Sequence, residues 1–287
     1  MHIDKVIAVN WGNLPSNIYS IGDIHLLVGA TGVGKSTLID AIQVSMTACR
    51  DGLYKFNPAQ NEASQKSRDK KVRTLASYCL GCDQGPYARP DGCDSYIAIL
   101  WSPDEGERGK KFTSIIAMRS YLEINGKLRI AQLKKKMHYL VPGKHLVYKD
   151  FVTTKKSDVL VENINNFFNH LRVKYGKSSI SEHEGPENYL CQLYGLLRGL
   201  ERSVSKEEAK HSAKMFSSFI SYRPTDNLNK FIRQDVLENK DKSEKLRSVS
   251  TMLKEIQALK KEADHMTAGA EALSSAILKI NRFIELW

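Results

Sequence analysis

The nine residues GATGVGKST, at positions 29 to 37, contain the residue types that hold phosphate groups. They fit the pattern G-x-x-x-x-G-K-[ST], in which Gly29 and Gly34 are followed by Lys35 and Ser36. Glycines let backbone N–H groups turn inward to phosphate oxygens, the lysine adds a mobile positive charge, and the hydroxyl can bind Mg²⁺. The stretch therefore predicts a loop that binds the phosphates of a nucleotide together with Mg²⁺.

Each position of this loop is a candidate contact to the nucleotide. Lys35 is expected to bridge the β- and γ-phosphates, Ser36 to ligate Mg²⁺, and Thr37 to support the α-phosphate. No NKxD-like guanine-reading motif follows the loop, and the expected cofactors are ATP and Mg²⁺. The predicted nucleotide-binding residues are Gly29, Ala30, Thr31, Gly32, Val33, Gly34, Lys35, Ser36 and Thr37.

Hydrolysis would also require an acidic strand, apolar and ending in Asp or Asp-Glu, to hold Mg²⁺ and orient water. The run DSYIAILW (94–101) begins with its acid, and VIAVNW (6–11) ends in Asn-Trp. No catalytic residue is therefore predicted within this chain. Either the chain only binds nucleotide, or the acidic strand lies in a segment outside it.

Basic residues are concentrated shortly after the loop, in a chain with 43 Lys and Arg against 32 Asp and Glu. Such a cluster favours sequence-independent contacts to the phosphates of double-stranded DNA. A second group, at positions 134–136, is interpreted first as a solvated charge run. The predicted DNA-binding residues are Lys66, Arg68, Lys70, Lys71 and Arg73.

The elements that must position the loop are indicated by apolar periodicity. β-branched runs and turn signals predict strands, and apolar residues three or four apart predict helices. The sequence thus predicts an α/β domain in which a strand leads into the loop and a helix leaves it, with an antiparallel appendage and a helical lobe. Strands are predicted at 3–11, 24–28, 95–101 and 112–124, and helices from about Lys35 and at 158–176 and 186–202.

Residues 240–287 contain no proline and one glycine, Gly269, and are predicted to form a single long helix. Apolar or small residues recur in alternating steps of three and four from Leu246 to Trp287, with one break between Ile256 and Leu259. This a/d spacing predicts one strand of a coiled coil, and a core helix of a bundle is the alternative. Because the stripe still runs at Trp287, we expect the chain to be the N-terminal piece of a longer polypeptide.

The remaining composition excludes some classes of protein. The charged N-terminus does not fit a signal peptide, and no apolar run is long enough for a membrane span. A cytoplasmic location is expected, with the five cysteines as free thiols. Cys79, Cys82 and Cys93 lack a fourth ligand for a zinc site, and metal binding by them stays open.

The order of these features resembles the N-terminal half of the head of SMC-like ATPases. Several sequence stretches are most similar to the MukB, MksB and JetC branch of this family. Within that branch they are most similar to the JetC motor subunits of Wadjet plasmid-defence systems, with MksB as the alternative. The stretches that carry the resemblance span most of residues 1–240. They are VNWGN, GATGVGKSTLIDAIQ, YKFNPAQNEASQKSRDKKVRTLASYCLG, YARPDG and NKFIRQDVL.

The resemblance implies an ABC-type P-loop NTPase half-head with a mixed sheet and helical lobe over 1–235, extended by the start of an outgoing coiled-coil arm over 240–287. The C-terminal half of the head would supply the acidic strand. Arg68 and Arg73 fall where the family places an arginine-bearing loop that approaches ATP and DNA. The family's Q-loop glutamine is expected near FISYRP, where this chain has Ser221 and Tyr222, so that metal contact is unassigned.

The resemblance also implies an ATP-driven DNA motor that is active only as an assembly. Its expected partners are double-stranded DNA, a second head copy, its own C-terminal half-head, kleisin and winged-helix subunits, and a toprim-like nuclease, with no membrane. A MukB- or MksB-type chromosome condensin and an SMC-like DNA-repair ATPase are alternatives of the same architecture. A nucleotide-gated structural tether without turnover is an alternative of another class.

Overall fold

The computed structural model describes residues 1–30, 32–54, 56, 73–81, 86–106, 109–125, 128–155, 158–220 and 243–286. The chain divides into two compact units, Met1–Val236 and Leu237–Trp287. The first unit contains the glycine loop, and the second consists of one long helix in its described part.

The described strands and helices follow one another as the apolar periodicity changes along the chain. The strands are β1 (His2–Val9), β2 (Asn17–Ser20), β3 (Cys93–Ser102), β4 (Phe112–Asn125), β5 (Leu128–Pro142), β6 (Val152–Lys155), β7 (Asp158–Val161) and β8 (Ser181–His183). The helices are α1 (Lys35–Met46), α2 (Leu75–Leu80), α3 (Ile164–Tyr175), α4 (Pro186–Leu197), α5 (Lys206–Ile220) and α6 (Ser243–Glu285), and short 3-10 turns lie at Tyr148–Asp150 and Lys177–Ser179.

One sheet of six strands organises the first unit, in the order β2-β1-β3-β4-β5-β8. Every pairing among these described strands is antiparallel, and β6 and β7 form a separate antiparallel hairpin. The expected mixed sheet is therefore not present in the part of the chain that the structure describes. The expected appendage is wrong as well, because β3 pairs directly with β1 and extends the same sheet.

Both faces of this sheet are covered, which explains the continuous apolar run of β3. Ile97 and Ile99 face a core shared with α1, α2, α4 and α5, whereas Tyr96 and Ala98 face a core shared with α3. Side chains alternate between the faces of a strand, and a strand buried on both faces is apolar at every position. The glycine loop thus leads into a helix, α1, that packs on one side of a fully covered sheet.

Two sequence predictions about elements are wrong. Residues 24–28 form no described strand, since no described segment pairs with them, and Ile24, Leu26 and Val28 are 97%, 81% and 78% exposed. The predicted helix at 158–176 begins later, because Asp158–Val161 pairs with β6 as β7 before α3 starts at Ile164. Alternating β-branched residues mark a strand-forming segment, but they do not supply the neighbouring strand that completes it.

The second unit confirms the prediction of one long helix, α6. Its apolar stripe is exposed, with Val249 at 53%, Ile256 at 60%, Leu273 at 67% and Ile284 at 65%. A second helical strand on this stripe remains a prediction. None of the described helices combines the length and the apolar character that a bilayer crossing demands.

The C-terminal end of α1 is fixed by side chains of β5 and α4. The last carbonyl groups of a helix have no partner within the helix, and here polar side chains donate hydrogen bonds to the Met46 carbonyl and to two carbonyls of the turn that follows α1. Ala48 and Cys49 continue the chain in left-handed conformations, with φ of 52° and 50°. The donors are Tyr194 Oη to the Met46 carbonyl at 3.0 Å, His138 Nε2 to that of Ala48 at 3.0 Å, and Lys136 Nζ to that of Cys49 at 2.8 Å.

His138 makes the stability of the first unit depend on pH. Burial lowers the pKa of its imidazole from 6.5 to about 4. Between these pH values the unfolded chain binds a proton that the folded chain does not, so the free energy of unfolding falls as the pH is lowered. A shift of this size corresponds to about 3 kcal/mol, and burial also lowers the pKa of the neighbouring His183.

We expect His138→Gln, which keeps an uncharged donor for Ala48, to remove most of this loss. Urea unfolding at several pH values between 6.5 and 4 measures it. His25→Gln, at an exposed histidine, is the matched control and should leave the pH dependence unchanged. Identical pH profiles for His138→Gln and the wild-type chain would contradict the assignment.

Candidate phosphate-binding site

The glycine loop ends where α1 begins, and Gly34 makes the junction possible. Gly34 is the N-cap of α1 and has φ of 98° and ψ of 11°, a left-handed conformation that side chains other than glycine rarely adopt. A Cβ at this position would lie 2.5 Å from Leu14 Cδ2. The backbone conformation therefore favours glycine at the second motif position, and a Cβ there would also displace the end of the Leu14 side chain.

The N-terminal end of α1 offers donors to an anion. Within the described part of the chain no side chain caps this end, and its first turn contains no acidic residue. The unpaired N–H groups of a first helical turn and the positive end of the helix dipole attract phosphate. Ser36 is exposed on this turn and Thr37 is half-buried, so the Ser36 hydroxyl is accessible to a metal ion bound with the phosphates.

Lys35 lies across the loop that it follows. Its Nζ donates to the carbonyl oxygens of Gly29 and Ala30, at 2.7 Å each. The ammonium group is thus held by neutral carbonyl groups on the inner side of the loop. A phosphate has a full negative charge and makes a stronger, charge-assisted hydrogen bond to an ammonium than a carbonyl does. Thr31 lies outside the described residues.

The end of β1 holds the first turn of α1 in place. Trp11 is buried, and its indole Nε1 donates to the Thr37 carbonyl at 2.9 Å. Gly12 has φ of 55°, and a Cβ there would lie 2.6 Å from Thr37 Cγ2. Close contact between the VNWGN stretch and α1 therefore needs a tryptophan followed by a glycine.

Arg89 joins the same turn to α2. Its Nη2 donates to the Gly12 carbonyl at 2.7 Å, and its Nε donates to the Cys79 carbonyl at 2.7 Å. The Gly12 N–H in turn donates to the Tyr78 carbonyl at 2.8 Å. The RPDG stretch was quoted above only because it carries the family resemblance. In the structure it supplies the arginine that links the turn after β1 to α2.

A small cavity lies beside the loop and brings distant parts of the sequence together. Arg73 Nη1 donates to Tyr78 Oη at 3.1 Å, and the Tyr78 hydroxyl donates to the carboxylate of Asp40 on α1. Burial raises the pKa of Tyr78, so this hydroxyl keeps its proton. The cavity is lined by Gly12, Asn13, Gly32, Val33, Gly34, Thr37, Arg73 and Tyr78.

Of the five basic residues predicted to contact DNA, Arg73 is the one that the structure describes. Lys66, Arg68, Lys70 and Lys71 lie outside the described residues, as do Ser221 and Tyr222. The second basic group does not form one surface, because its lysines are used separately. Lys135 Nζ donates to Asn165 Oδ1 at 3.0 Å, Lys136 binds the end of α1, and Lys134 lines a cavity at a β4–β5 irregularity.

The described cysteines are protonated thiols of the core. Burial raises the pKa of Cys79 to about 11, and Cys93 Sγ donates to the Cys79 carbonyl at 3.0 Å. Within the described ranges no three His, Cys, Asp or Glu side chains come together as a metal site. Cys82 lies outside those ranges, so its part in a metal site stays open.

Sequence reasoning missed three residues that shape this site, namely Trp11, Asp40 and Tyr78. Each has a signal in the sequence. Asp40 is an acid among the apolar residues of α1, and Trp11 and Tyr78 are aromatic residues within the stretches VNWGN and RTLASY. An acid buried in a helix requires a partner, and that requirement could have pointed to Tyr78 or Arg73.

Comparison with known families agrees with this geometry. Residues 3–63 match the family described as the P-loop containing region of AAA domain. The match includes β1, the glycine loop and α1, and it spans about a fifth of the chain. No curated protein sequence matches the chain. The chain thus contains a P-loop region of the class that binds nucleotides, together with a mostly antiparallel α/β fold.

The contact between Gly12 and Thr37 can be tested by adding single methyl groups. We expect Gly12→Ala to lower the free energy of unfolding by about 2–4 kcal/mol, because the new Cβ meets Thr37 and the left-handed backbone is strained. Gly52→Ala is the matched control, since Gly52 has φ of 80° and no atom near the added Cβ. Gly52→Ala should lower the free energy of unfolding by about 1–2 kcal/mol.

Thr37→Ser removes the methyl group and keeps the hydroxyl. In the Thr37→Ser chain, Gly12→Ala should lower the free energy of unfolding, as measured by urea unfolding, by no more than Gly52→Ala does. An equal cost of Gly12→Ala in both backgrounds would show that Thr37 does not fix the approach of β1 to α1.

Proposed function

We propose that this chain binds MgATP through residues 29–37 and forms the N-terminal half of the head of an SMC-like DNA motor. The observation that carries the proposal is the open N-terminal end of α1, which directly follows a glycine loop whose carbonyl groups contact the Lys35 ammonium group. The similarity of these sequence stretches favours the JetC motor of Wadjet plasmid defence, with a MukB- or MksB-type condensin as the alternative.

In this function the chain's own residues bind and orient the nucleotide. The N–H groups of the loop and of the first turn of α1 would hold phosphate oxygens, and Lys35 would neutralise charge between the β- and γ-phosphates. Ser36 would hold Mg²⁺, which supplies positive charge to the phosphate oxygens when it is bound. Thr37, fixed by Trp11, would support the α-phosphate.

The acid that hydrolysis requires would come from the C-terminal half of the head. The segment that enters the loop exposes Ile24, Leu26 and Val28, an amount of apolar surface that favours a covering strand. A strand of the C-terminal half, placed there, would bury these side chains and bring its own carboxylate to the loop. Turnover is therefore assigned to the assembled head.

The assembled motor would couple this site to DNA. Two heads would enclose two ATP molecules, and ATP closes the pair because it contacts both heads only in the closed state. The exposed stripe of α6 would pair with a returning helix and form the arm that transmits closure. Double-stranded DNA, kleisin and winged-helix subunits and a toprim-like nuclease are the further proposed partners, in a cytoplasmic setting.

Lys35→Ala tests nucleotide binding directly in the chain of 287 residues. We expect MgATP affinity, measured by isothermal titration calorimetry, to fall at least about 100-fold, because a charge-assisted contact to two phosphates is lost. Lys110→Ala is the matched control, since its side chain is 81% exposed on a different part of the unit. Equal affinity of Lys35→Ala and wild type would exclude the proposed site.

DNA binding is tested at residues 66–71, because Arg73 already contacts Tyr78. We expect Arg68→Ala combined with Lys71→Ala to reduce the slope of log affinity against log salt by about 2, since each phosphate contact contributes about 0.9. Fluorescence anisotropy with a labelled duplex at several salt concentrations measures this slope. Lys177→Ala with Lys210→Ala, at exposed lysines, is the control, and equal slopes for the two double variants would contradict a DNA contact.

A further inference from the structure

We infer that Tyr78, held by Asp40, is a positioning residue that orients the Arg73 guanidinium toward the phosphates of the bound nucleotide. The inference rests on the proposed nucleotide-binding function, in which the resemblance already brings Arg73 near ATP, and adds the residue that orients this arginine. The guanidinium and the loop border the same cavity, because Gly32, Gly34 and Thr37 line it together with Arg73 and Tyr78.

The anchor of this arrangement is a carboxylate inside the protein. Asp40 lies on α1 five residues after Lys35 and is 0% exposed. Removing a carboxylate from water is costly unless strong donors replace its hydration. The Tyr78 hydroxyl donates to this carboxylate, so the position of the hydroxyl is fixed relative to the same helix that would bind the phosphates.

The ring of Tyr78 is fixed independently of its hydroxyl. It stacks on Trp11 with ring centroids 4.6 Å apart and an interplanar angle of 10°, and it also contacts Phe56 at 4.6 Å. A capping box between Thr74 and Ser77 sets the start of α2, which carries Tyr78. Replacing this tyrosine by phenylalanine would therefore remove one hydrogen-bonding group and leave the packing in place.

Arg73 is oriented by the tyrosine in two ways. Its Nη1 donates to Tyr78 Oη at 3.1 Å, and its Cζ lies 5.7 Å from the centre of the ring. It also directly precedes Thr74, the N-cap of α2, so its backbone lies at a fixed helix start. A guanidinium has five N–H donors in a planar fork, and this geometry suits recognition of phosphate oxygens when its orientation is fixed.

The three residues form a chain of hydrogen bonds from the interior to the cavity. The Tyr78 hydroxyl has one proton, which it donates to Asp40, and its oxygen accepts from Arg73. Loss of the hydroxyl removes one acceptor from the guanidinium and leaves the arginine in place. The positioning role therefore predicts that Tyr78 affects nucleotide binding only as long as Arg73 is present.

A double-mutant cycle tests this prediction in the chain of 287 residues with MgATP as the probe. We expect Arg73→Ala to weaken MgATP binding about 10-fold and Tyr78→Phe to weaken it about 3- to 10-fold. The double variant should bind no more weakly than Arg73→Ala alone. Tyr54→Phe is the matched control, because Tyr54 also packs on Phe56 while its hydroxyl contacts Asp51; it should bind MgATP like wild type.

Additive losses in the double variant would overturn the inference, since they would show that Tyr78 acts without Arg73. Wild-type affinity of Tyr78→Phe would overturn it as well. Thermal unfolding of each variant identifies a loss caused by misfolding, and Arg73→Ala, which leaves the hydrogen bond from Tyr78 to Asp40 in place, still tests the arginine contact in that case; wild-type affinity of Arg73→Ala would overturn the inference. Lys35→Ala distinguishes failure of this inference from failure of the proposed function. Unchanged MgATP affinity of Lys35→Ala would contradict the proposed function itself.

Discussion

Helix α1 is fixed at one end and open at the other, and the candidate site depends on this difference. At the C-terminal end, Tyr194 satisfies the Met46 carbonyl, and His138 and Lys136 satisfy two carbonyls of the turn that follows. At the N-terminal end, no side chain of the described residues caps the first N–H groups. A helix whose carbonyl groups are satisfied by the protein and whose N–H groups are left for a ligand binds an anion without rearranging.

Stretches far apart in sequence share the task of presenting this helix. VNWGN provides the indole that holds Thr37, RPDG provides the arginine that connects β1 to α2, and RTLASY provides the tyrosine that reaches Asp40. The side chains of these stretches donate their hydrogen bonds mostly to backbone carbonyl groups, and one of them donates to a buried carboxylate. Preorganised contacts of this kind let a ligand bind without first ordering the loop, which reduces the entropy cost of binding.

The sequence predicted the loop, its following helix, three of the eight described strands (β1, β3 and β4) and α6, because each of these depends on local spacing. Partners in space could not be predicted in the same way. Ile24, Leu26 and Val28 have the pattern of a strand, yet no described strand pairs with them. Lys134, Lys135 and Lys136 read as one charge run, yet alternation along β5 sends neighbouring side chains to different contacts. Asp40 was overlooked because its partner Tyr78 follows 38 positions later.

The contacts of the Tyr78 ring also bear on how the length of the chain can vary between the two residues that touch it. Phe56 and Arg73 both touch this one ring, so a segment of chain is closed at the Tyr78 side chain. The entropy of closing such a segment changes by only about 0.6 kcal/mol when its length doubles. A change in the number of residues between Phe56 and Arg73 in a related chain would therefore alter the free energy of this aromatic contact only slightly.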